Sequence, residues 1–376
     1  MRELTYRYRI YPTRDQEKAI AGICGCARYI YNELLTVITN HYREHGEWME
    51  IDAGPYMALS FIKRADYSAM WCAVESLQYG LERFIKMDLS RKLPYRPESQ
   101  LKAIEDPGYQ LLPTDREGYP RLKRKKTARQ TYTTKRITLK GTPGRVEIPN
   151  VGSVRIKVHR PLPEGAEILS ATVMKKSSGS YFILFKVSIP ETVEQKEYEK
   201  PLGVAYSSGR LAVRSDGEKV LFREQDEELT KKIRKAYRDL KRKHPGSSRY
   251  EKQKKYLASL YEYRYNVRRD ELHKAARQIT NAADLIYMQT PDVMYRLRQM
   301  KGKQKRARQL DESWWTFSQM IEYKAAADGS YVHKIPRQFP VERLCSRCDR
   351  KNKKSNTRFY GCRYCNLQLD LSLIHI

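Results

Sequence analysis

The sequence has no apolar run of about 18 residues, the length that a helix needs to span a bilayer. Residues 1–11 alternate charged and aromatic side chains, and they lack the apolar segment of a secretory leader. We therefore expect a chain that neither spans a membrane nor is exported, and we predict a cytoplasmic location.

Acidic residues are scarce relative to basic ones. The chain has 44 Asp and Glu against 73 Lys and Arg, so that the net charge is +29. Such an excess repels itself unless a polyanion neutralises it, and nucleic acid is the usual polyanion, with an anionic membrane surface as the alternative. Phenylalanine is also scarce, with 8 residues against 28 tyrosines, and tyrosine can stack on bases while its hydroxyl stays hydrated. Composition thus favours nucleic-acid binding.

The cysteines are few, and their spacing does not suggest a disulfide framework. Four of the seven form two Cys-x-x-Cys pairs that are separated by thirteen residues. Four thiolates at this spacing suit a structural zinc ion in a closed tetrahedral site, and a redox pair in each knuckle is the alternative. The predicted zinc ligands are Cys345, Cys348, Cys362 and Cys365. The other three are expected to be buried apolar residues: Cys24, Cys26 and Cys72.

Predicted strands and helices indicate an α+β chain with several domains. A strand is expected at Leu4–Tyr11, followed by a helix that begins at Thr13 with Gln16 completing a capping box. Further helices are expected at 57–64, 68–89, 227–240, 248–281 and 314–327. Short strands are expected at 136–139, 146–148, 154–158, 168–174, 181–189, 202–206, 211–214, 285–288 and 331–335. The strands before residue 190 suggest a small antiparallel barrel, which the N-terminal strand could complete.

Several motifs together resemble one family, the transposon-associated TnpB proteins, which are compact RNA-guided nucleases related to type V CRISPR effectors. They are Tyr-Pro-Thr at 11–13, Cys-Ala-Arg-Tyr-Ile-Tyr-Asn-Glu-Leu-Leu at 26–35, Ser-Leu-Gln-Tyr-Gly-Leu-Glu-Arg-Phe at 76–84, Gly-Tyr-Pro-Arg-Leu-Lys at 118–123, Ile-Pro-Asn-Val-Gly at 148–152 and Asn-Val-Arg-Arg-Asp-Glu-Leu-His-Lys at 266–274. Each motif is weak singly, but their order and the zinc knuckles make the resemblance specific.

The resemblance implies a division of the chain into domains. A wedge β-barrel would comprise residues 1–12 and 118–195, with a helical recognition domain inserted at 13–117. An RNase H-like (RuvC) α/β domain would cover 196–340, with a helical hairpin at 227–281. A zinc ribbon would be inserted at 341–366, before a truncated last RuvC segment at 367–376. Residues 371–376 do not continue the family pattern, and we expect them to be a processing or assembly scar.

The resemblance also implies three carboxylates that would hold two catalytic metal ions. This sequence has Ala205 and Gln289 at the first two positions and Asp370 at the third. One carboxylate cannot hold a pair of Mg²⁺ ions, so the pattern resembles the nuclease-dead TnpB-like repressors (TldR proteins) and predicts no enzyme activity and no catalytic Mg²⁺. The alternatives are a decayed transposon nuclease and an active nuclease that uses displaced carboxylates at Asp216 or Asp292.

If the resemblance holds, the partners are a guide RNA made from the transposon end and double-stranded target DNA, and occupation of guide-matched DNA represses transcription. The cytoplasmic location would then be at the prokaryotic nucleoid. A guide-independent DNA-binding module is the other interpretation. Gln78 is the candidate reader of a short flanking DNA motif, with an ordinary helix residue as the alternative. Phosphate contacts are expected at Arg7, Arg9, Arg121, Lys123, Arg124, Lys125, Lys126, Arg268, Arg269 and Lys274.

Overall fold

A computed structural model describes residues 2–91, 93–106, 108–125, 130–137, 144–190, 197–206, 211–220, 227–291, 298, 302, 313–336, 339–340, 343–345, 347–353 and 359–370. The chain divides into two compact units, residues 1–191 and residues 192–376. Each unit has its own apolar core and is described by itself.

The first unit begins with strand β1 (Arg2–Tyr11) and helix α1 (Arg14–His45). The predicted capping box at the start of α1 is confirmed: Gln16 N donates to Thr13 Oγ1 at 3.4 Å, and Thr13 N donates to Gln16 Oε1 at 3.0 Å. The helix ends at Gly46, whose φ of 75° is in the left-handed region, and Gly46 N donates to the Tyr42 carbonyl at 2.9 Å.

Four more helices follow in this unit. They are α2 (Gly54–Met57), α3 (Ser60–Lys63), α4 (Tyr67–Arg91) and α5 (Pro97–Glu105), and a 3₁₀ turn covers Pro113–Asp115. The helix predicted at 57–64 is therefore two short helices, and the helix predicted at 68–89 is confirmed as α4. Helix α1 packs against α4 through apolar residues at helical spacing, among them Ile23, Ile30, Met70 and Leu77.

Six antiparallel strands form the sheet of the first unit in the order β2-β5-β6-β1-β4-β3. After β1 the strands are β2 (Gln130–Thr134), β3 (Arg145–Ile148), β4 (Gly152–Lys157), β5 (Glu167–Lys175) and β6 (Tyr181–Ile189). Strand β1 lies between β6 and β4, as its predicted role in completing the sheet requires. Among the described residues, however, β2 and β3 are not paired with each other, so the expected barrel is an open sheet in this part of the chain.

The strand predicted at 136–139 is wrong in its position. The structure has β2 earlier, at Gln130–Thr134, because Tyr132 is buried in the core there and Thr133 Oγ1 lies 2.9 Å from Thr172 Oγ1 on the neighbouring strand. Residues 136 and 137 are not in a strand, and 138–139 lie outside the described residues.

A five-stranded mixed sheet, ordered β11-β10-β7-β8-β9, is the centre of the second unit. Its strands are β7 (Pro201–Tyr206), β8 (Ala212–Arg214), β9 (Lys219–Val220), β10 (Leu285–Gln289) and β11 (Tyr331–Ile335). Strands β7, β10 and β11 are parallel neighbours, whereas β7, β8 and β9 form antiparallel hairpins. The strands predicted at 202–206, 211–214, 285–288 and 331–335 are thus confirmed.

Among the described residues, the helices that accompany this sheet include α6 (Glu227–Lys241), α7 (Ser248–Ala282) and α8 (Trp314–Ala327). Helices α6 and α7 form the predicted hairpin, with a small apolar cluster of Leu229, Ile233 and Leu257 between them. The C-terminal half of α7 packs with α8 in the core of the sheet, through residues such as Ile279 and Phe317. A separate two-stranded sheet consists of β12 (Phe359–Gly361) and β13 (Gln368–Asp370). None of the described helices combines the length and apolarity that crossing a bilayer requires.

Candidate metal and nucleic-acid sites

The four cysteines predicted as zinc ligands lie together. Cys345 Sγ is 3.5 Å from Cys365 Sγ, Cys348 Sγ is 3.6 Å from Cys362 Sγ, and all four sulfur atoms lie within 4.8 Å of one another. A tetrahedral zinc ion with bonds of about 2.3 Å needs sulfur atoms about 3.8 Å apart. The cluster therefore fits a structural zinc ion held by Cys345, Cys348, Cys362 and Cys365, with no position left for a substrate.

The two knuckles of this cluster have the same backbone geometry. Asp349 and Asn366 follow the second cysteine of each pair, and both have positive φ, 52° and 57°. In each knuckle this residue donates its N–H to the carbonyl of the first cysteine: Asp349 to Cys345 at 2.9 Å and Asn366 to Cys362 at 3.1 Å. Asn and Asp are the non-glycine residues that tolerate this conformation best.

Asn352 is a supporting residue of the metal site that sequence reasoning missed. It is 8% exposed, its Nδ2 donates to Cys362 Sγ at 3.4 Å, and its Oδ1 accepts from Arg363 N at 3.1 Å. A donor beside a thiolate offsets part of the negative charge of the cluster and fixes the orientation of the ligand. The sequence signal was weak, because Asn352 is one of two asparagines between the knuckles and nothing in the sequence distinguishes it from the other.

The other three cysteines take no part in this cluster. Cys24 is buried, and burial raises the pKa of its thiol to about 11. Cys26 and Cys72 are half-buried rather than fully buried, and burial raises the pKa of both thiols. All three are therefore protonated at neutral pH and unreactive.

Ala205 and Gln289 lie at the ends of adjacent parallel strands. The register pairs Met288 of β10 with Val204 of β7, so residues 205 and 289 follow at the same edge of the sheet. Gln289 Oε1 accepts a hydrogen bond from Tyr206 N at 3.1 Å, which links the two strand ends. The structure thus brings together two of the three positions at which the resemblance implies carboxylates.

The remaining acidic candidates do not join this edge in the described residues. Asp370 ends β13, which pairs with β12 and not with the five-stranded sheet, and its side chain lies outside the description. Asp216 forms an ion pair with the buried guanidinium of Arg214, which also pairs with Glu218. Asp292 lies outside the described residues.

The predicted phosphate contacts in the first unit differ in their surroundings. The guanidinium carbons of Arg7 and Arg9 lie 5.1 Å and 5.3 Å from the ring centroid of Phe182 on β6. Gln78 is exposed on α4, and its Nε2 donates to Glu82 at 3.0 Å. The remaining exposed residues of this set are Arg121, Arg124 and Lys125, whereas Lys126 lies outside the described residues.

Lys123 is the exception in its basic run, because it is half-buried. Its Nζ lies 3.5 Å from the ring centroid of Tyr31, and its backbone N–H and carbonyl both bond to the side chain of Asn32. Burial lowers the pKa of Lys123 to about 8. The cation–π contact thus holds an ammonium group that is only partly charged in mildly alkaline solution.

In the second unit, Arg268 and Arg269 line a groove of about 280 Å³ on α7. No carboxylate is among the described residues that line it, and Arg264 lies 5.2 Å from the ring centroid of Tyr261. Sequence reasoning missed Tyr261, Arg264 and Tyr265, although their alternation of aromatic and basic residues was a usable signal. Lys274 differs from the groove residues, because its Nζ forms an ion pair with Asp270 at 2.7 Å.

Three segments match family models. Residues 1–47 match a helix-turn-helix domain of the OrfB type found in IS605, residues 185–300 match an IS605 OrfB family described as a probable transposase, and residues 314–371 match a Cas12f1-like TNB domain. The described part of the first segment consists of β1 and α1, and the four clustered cysteines lie in the third.

Two curated relatives match nearly the whole chain. A putative RNA-guided DNA endonuclease of Streptomyces pristinaespiralis is 25% identical over 361 residues, which cover 95% of this chain and 84% of the relative. The putative RNA-guided DNA endonuclease InsQ of Escherichia coli K12 is 21% identical over 368 residues, which cover 94% and 86%.

Two solved structures also match, each at 16% identity. One is a cryo-EM structure of a Cas12f1–sgRNA–target DNA complex, with 99% of this chain and 97% of that chain covered and a TM-score of 0.33. The other is a CRISPR-Cas12f ternary complex, with 95% and 79% covered and a TM-score of 0.34.

These comparisons correct one expectation. The prediction that the chain is not an enzyme is wrong, because both curated relatives are named as RNA-guided DNA endonucleases and residues 185–300 match a probable transposase. The error came from inferring activity from two side chains alone.

Removal of zinc should unfold the ribbon locally. We expect about one zinc ion per purified chain, and we expect a chelator to abolish hydrogen-exchange protection in residues 343–370, since the small cluster has little other core. Cys365→Ser should lose the metal, whereas Cys72→Ser should keep it because Cys72 is not a ligand. A zinc-free preparation with intact protection would contradict the assignment.

The bond between Gln289 and Tyr206 should contribute measurably to stability. Gln289→Leu removes the acceptor of Tyr206 N, and we expect it to lower the free energy of unfolding by about 1 kcal/mol in urea denaturation of the full chain. Gln289→Glu retains an acceptor at this position, so it should lower the free energy of unfolding by less than Gln289→Leu does. Equal stability of the Leu variant and the wild type would show that the bond is not formed in solution.

Proposed function

We propose that this chain is an RNA-guided DNA-binding protein: it binds a guide RNA and, through pairing of that RNA, a matched double-stranded DNA. The names of both curated relatives support the guide RNA and the DNA partner. The net charge of +29 supports a polyanionic ligand of this kind. We further propose that the guide comes from the transposon end.

The observation that carries the proposal is the groove on α7. Its described lining includes Tyr261, Tyr265 and three arginines and no carboxylate, and Arg–Tyr surfaces of this kind bind single strands by phosphate contact and base stacking. Exposed tyrosines continue along the same helix at positions 256 and 263. The helix therefore offers both parts of a sequence-tolerant nucleic-acid surface.

We assign roles to the two units in accordance with this function. In the first unit, the sheet would act as the wedge domain and the helices as the recognition domain, with Gln78 as the reader of a flanking DNA motif. In the second unit, the mixed sheet would be the RuvC-like domain and the four-cysteine cluster its zinc ribbon. We also propose that occupation of a promoter by the complex lowers transcription, because a stable protein–RNA–DNA complex obstructs polymerase.

The first experiment is to purify the chain from cells that also express the flanking transposon DNA and to sequence the RNA bound to it. We expect one dominant RNA and nanomolar binding of a duplex that matches its variable end, measured in buffer without Mg²⁺ or Mn²⁺ so that strand cleavage does not affect the result and the zinc site stays intact. A scrambled duplex is the control. Equal affinity for both duplexes, or a preparation without RNA, would refute guided binding.

A promoter–reporter assay with a matched and a scrambled guide, corrected for plasmid copy number, tests repression.

Substitutions on α7 test the groove. Arg264→Gln combined with Arg268→Gln should weaken binding of the purified RNA at least tenfold and make the affinity less dependent on salt, because each lost phosphate contact lowers the salt slope by about 0.7. The matched control on the same helix is Lys274→Gln, whose ammonium is already paired with Asp270 and should contribute little. If the control variant bound RNA as weakly as the groove variant, the loss of affinity would be due to the net charge of the chain and not to the groove.

A further inference from the structure

The first unit contains a large cavity whose cations form no ion pairs in the described part of the chain. It has a volume of about 680 Å³, and it lies between α1, α5 and the segment around residues 114–124. The cations that line it are Arg43, Arg96, Lys102, Arg121 and Arg124. Among the described residues, none of the five forms an ion pair with a carboxylate, whereas exposed lysines elsewhere in this unit, such as Lys18 and Lys186, do.

Two acids, Glu98 and Asp115, also line the cavity, but neither forms an ion pair with these cations in the described residues. Asp115 is 6% exposed and accepts hydrogen bonds from Ser99 Oγ at 3.2 Å, Tyr109 OH at 2.9 Å and Leu112 N at 3.2 Å. These three hydrogen bonds thus tie its carboxylate to α5 and to the segment that follows this helix. Glu98 is exposed on α5. Five cations against two acids leave the lining strongly positive.

One of these cations, Arg96, is held in the wall of the cavity by its contacts. Arg96 Nη2 donates to the Tyr119 carbonyl at 2.6 Å, and Tyr119 is itself held by a hydroxyl contact with Thr39 at 2.8 Å and by packing against Trp48 and Phe84. Burial, and then the nearby charge of Arg121, lower the pKa of Arg96. Asp115 and Glu98 act in the opposite direction, but the net effect still disfavours the charged guanidinium, and an anion bound beside Arg96 would relieve that cost.

An independent observation points to a ligand in the same cavity. Thr114 is 4% exposed, it lines the cavity, and its Oγ1 has no hydrogen-bond partner. A buried hydroxyl without a partner is uncommon, because it loses its bonds to water and gains none in return. A phosphate or ribose oxygen in the cavity would supply the missing partner.

From this arrangement we infer that the cavity is a binding site for the phosphodiester backbone of a single-stranded nucleic acid. Arginine guanidinium groups match phosphate oxygens in a bidentate manner, and the proposed function makes a nucleic acid the polyanion that this site would bind. A concave site admits an unstacked nucleotide more readily than a regular duplex. The inference rests on the proposed function and adds Arg43, Arg96, Lys102 and Thr114 to the contacts expected from sequence.

The test compares two triple variants of the full chain that lose the same charge. The cavity variant is Arg43→Gln, Lys102→Gln and Arg121→Gln, all exposed at the rim, and the control is Lys18→Gln, Lys135→Gln and Lys186→Gln, all in ion pairs. Probes are fluorescein-labelled 12-nucleotide oligouridylate RNA and oligothymidylate DNA, with anisotropy measured at several salt concentrations. We expect the cavity variant to bind at least tenfold more weakly, with a salt slope smaller by about 2, and the control to change less than about twofold.

The two probes identify the source of the phosphate. A larger loss for RNA assigns the cavity to the guide, and a larger loss for DNA assigns it to a DNA strand. Equal losses for the cavity and control variants would overturn the inference while leaving guided binding intact, which the matched-duplex assay measures separately. Displacement of the RNA probe by polyglutamate as readily as by unlabelled RNA would also overturn it, because the site would then not distinguish phosphate from carboxylate.

Thr114→Val gives a readout that does not depend on charge. The change keeps the shape of the side chain and removes a hydroxyl without a partner, so the thermal stability of the free chain should stay the same or rise. Binding of the RNA probe should weaken a few-fold. A variant that binds like the wild type would contradict the placement of the ligand against Thr114.

Discussion

Positive charge without acidic partners is the constraint on which the rest of this molecule depends. A net charge of +29 opposes compaction of the chain. Each unit is therefore kept folded by its own apolar core against that repulsion. Among the described residues some cations are neutralised internally, since Lys274 pairs with Asp270 and Arg116 with Asp88, whereas the five cations that line the cavity of the first unit form no ion pair with a carboxylate. The distribution of ion pairs therefore separates structural cations from those available to a polyanion.

At the edge of the mixed sheet, the topology determines which residues lie together, but it does not determine their function. Parallel pairing of β7 with β10 brings residues 205 and 289 to one place, and this follows from the register alone. The side chains there are a methyl group and an amide that bonds to Tyr206 N. The strand register thus fixes where residues 205 and 289 lie but not which side chains they carry. Because both curated relatives are named as endonucleases, activity should not be inferred from these two residues by themselves.

Much of the fold could be predicted from local sequence. The capping box at Thr13 and the helical spacing after it determine α1, and the doubled Cys-x-x-Cys pairs determine the ribbon, because both signals act over a few residues. Strand β2 was misplaced because its Gln-Thr-Tyr-Thr-Thr sequence adjoins a basic run and its pairing partner, β5, is some forty residues away. The role of Asn352 and the fixed position of Arg96 depend on tertiary contacts that no spacing rule contains. The same holds for the ion pair of Lys274, since a neighbouring acid on a helix does not by itself fix a rotamer.

Lys123 has a consequence for the chemical modification of this protein. An amine must lose its proton before it can attack an acylating reagent, and burial over the ring of Tyr31 lowers the pKa of this one to about 8. At neutral pH a larger share of Lys123 is therefore in the nucleophilic form than of a lysine that keeps its ordinary pKa near 10.4. Wherever a reagent is small enough to reach the half-buried amine, this side chain would be acylated ahead of its more exposed neighbours, and the basic run would lose a charge at its best-anchored residue.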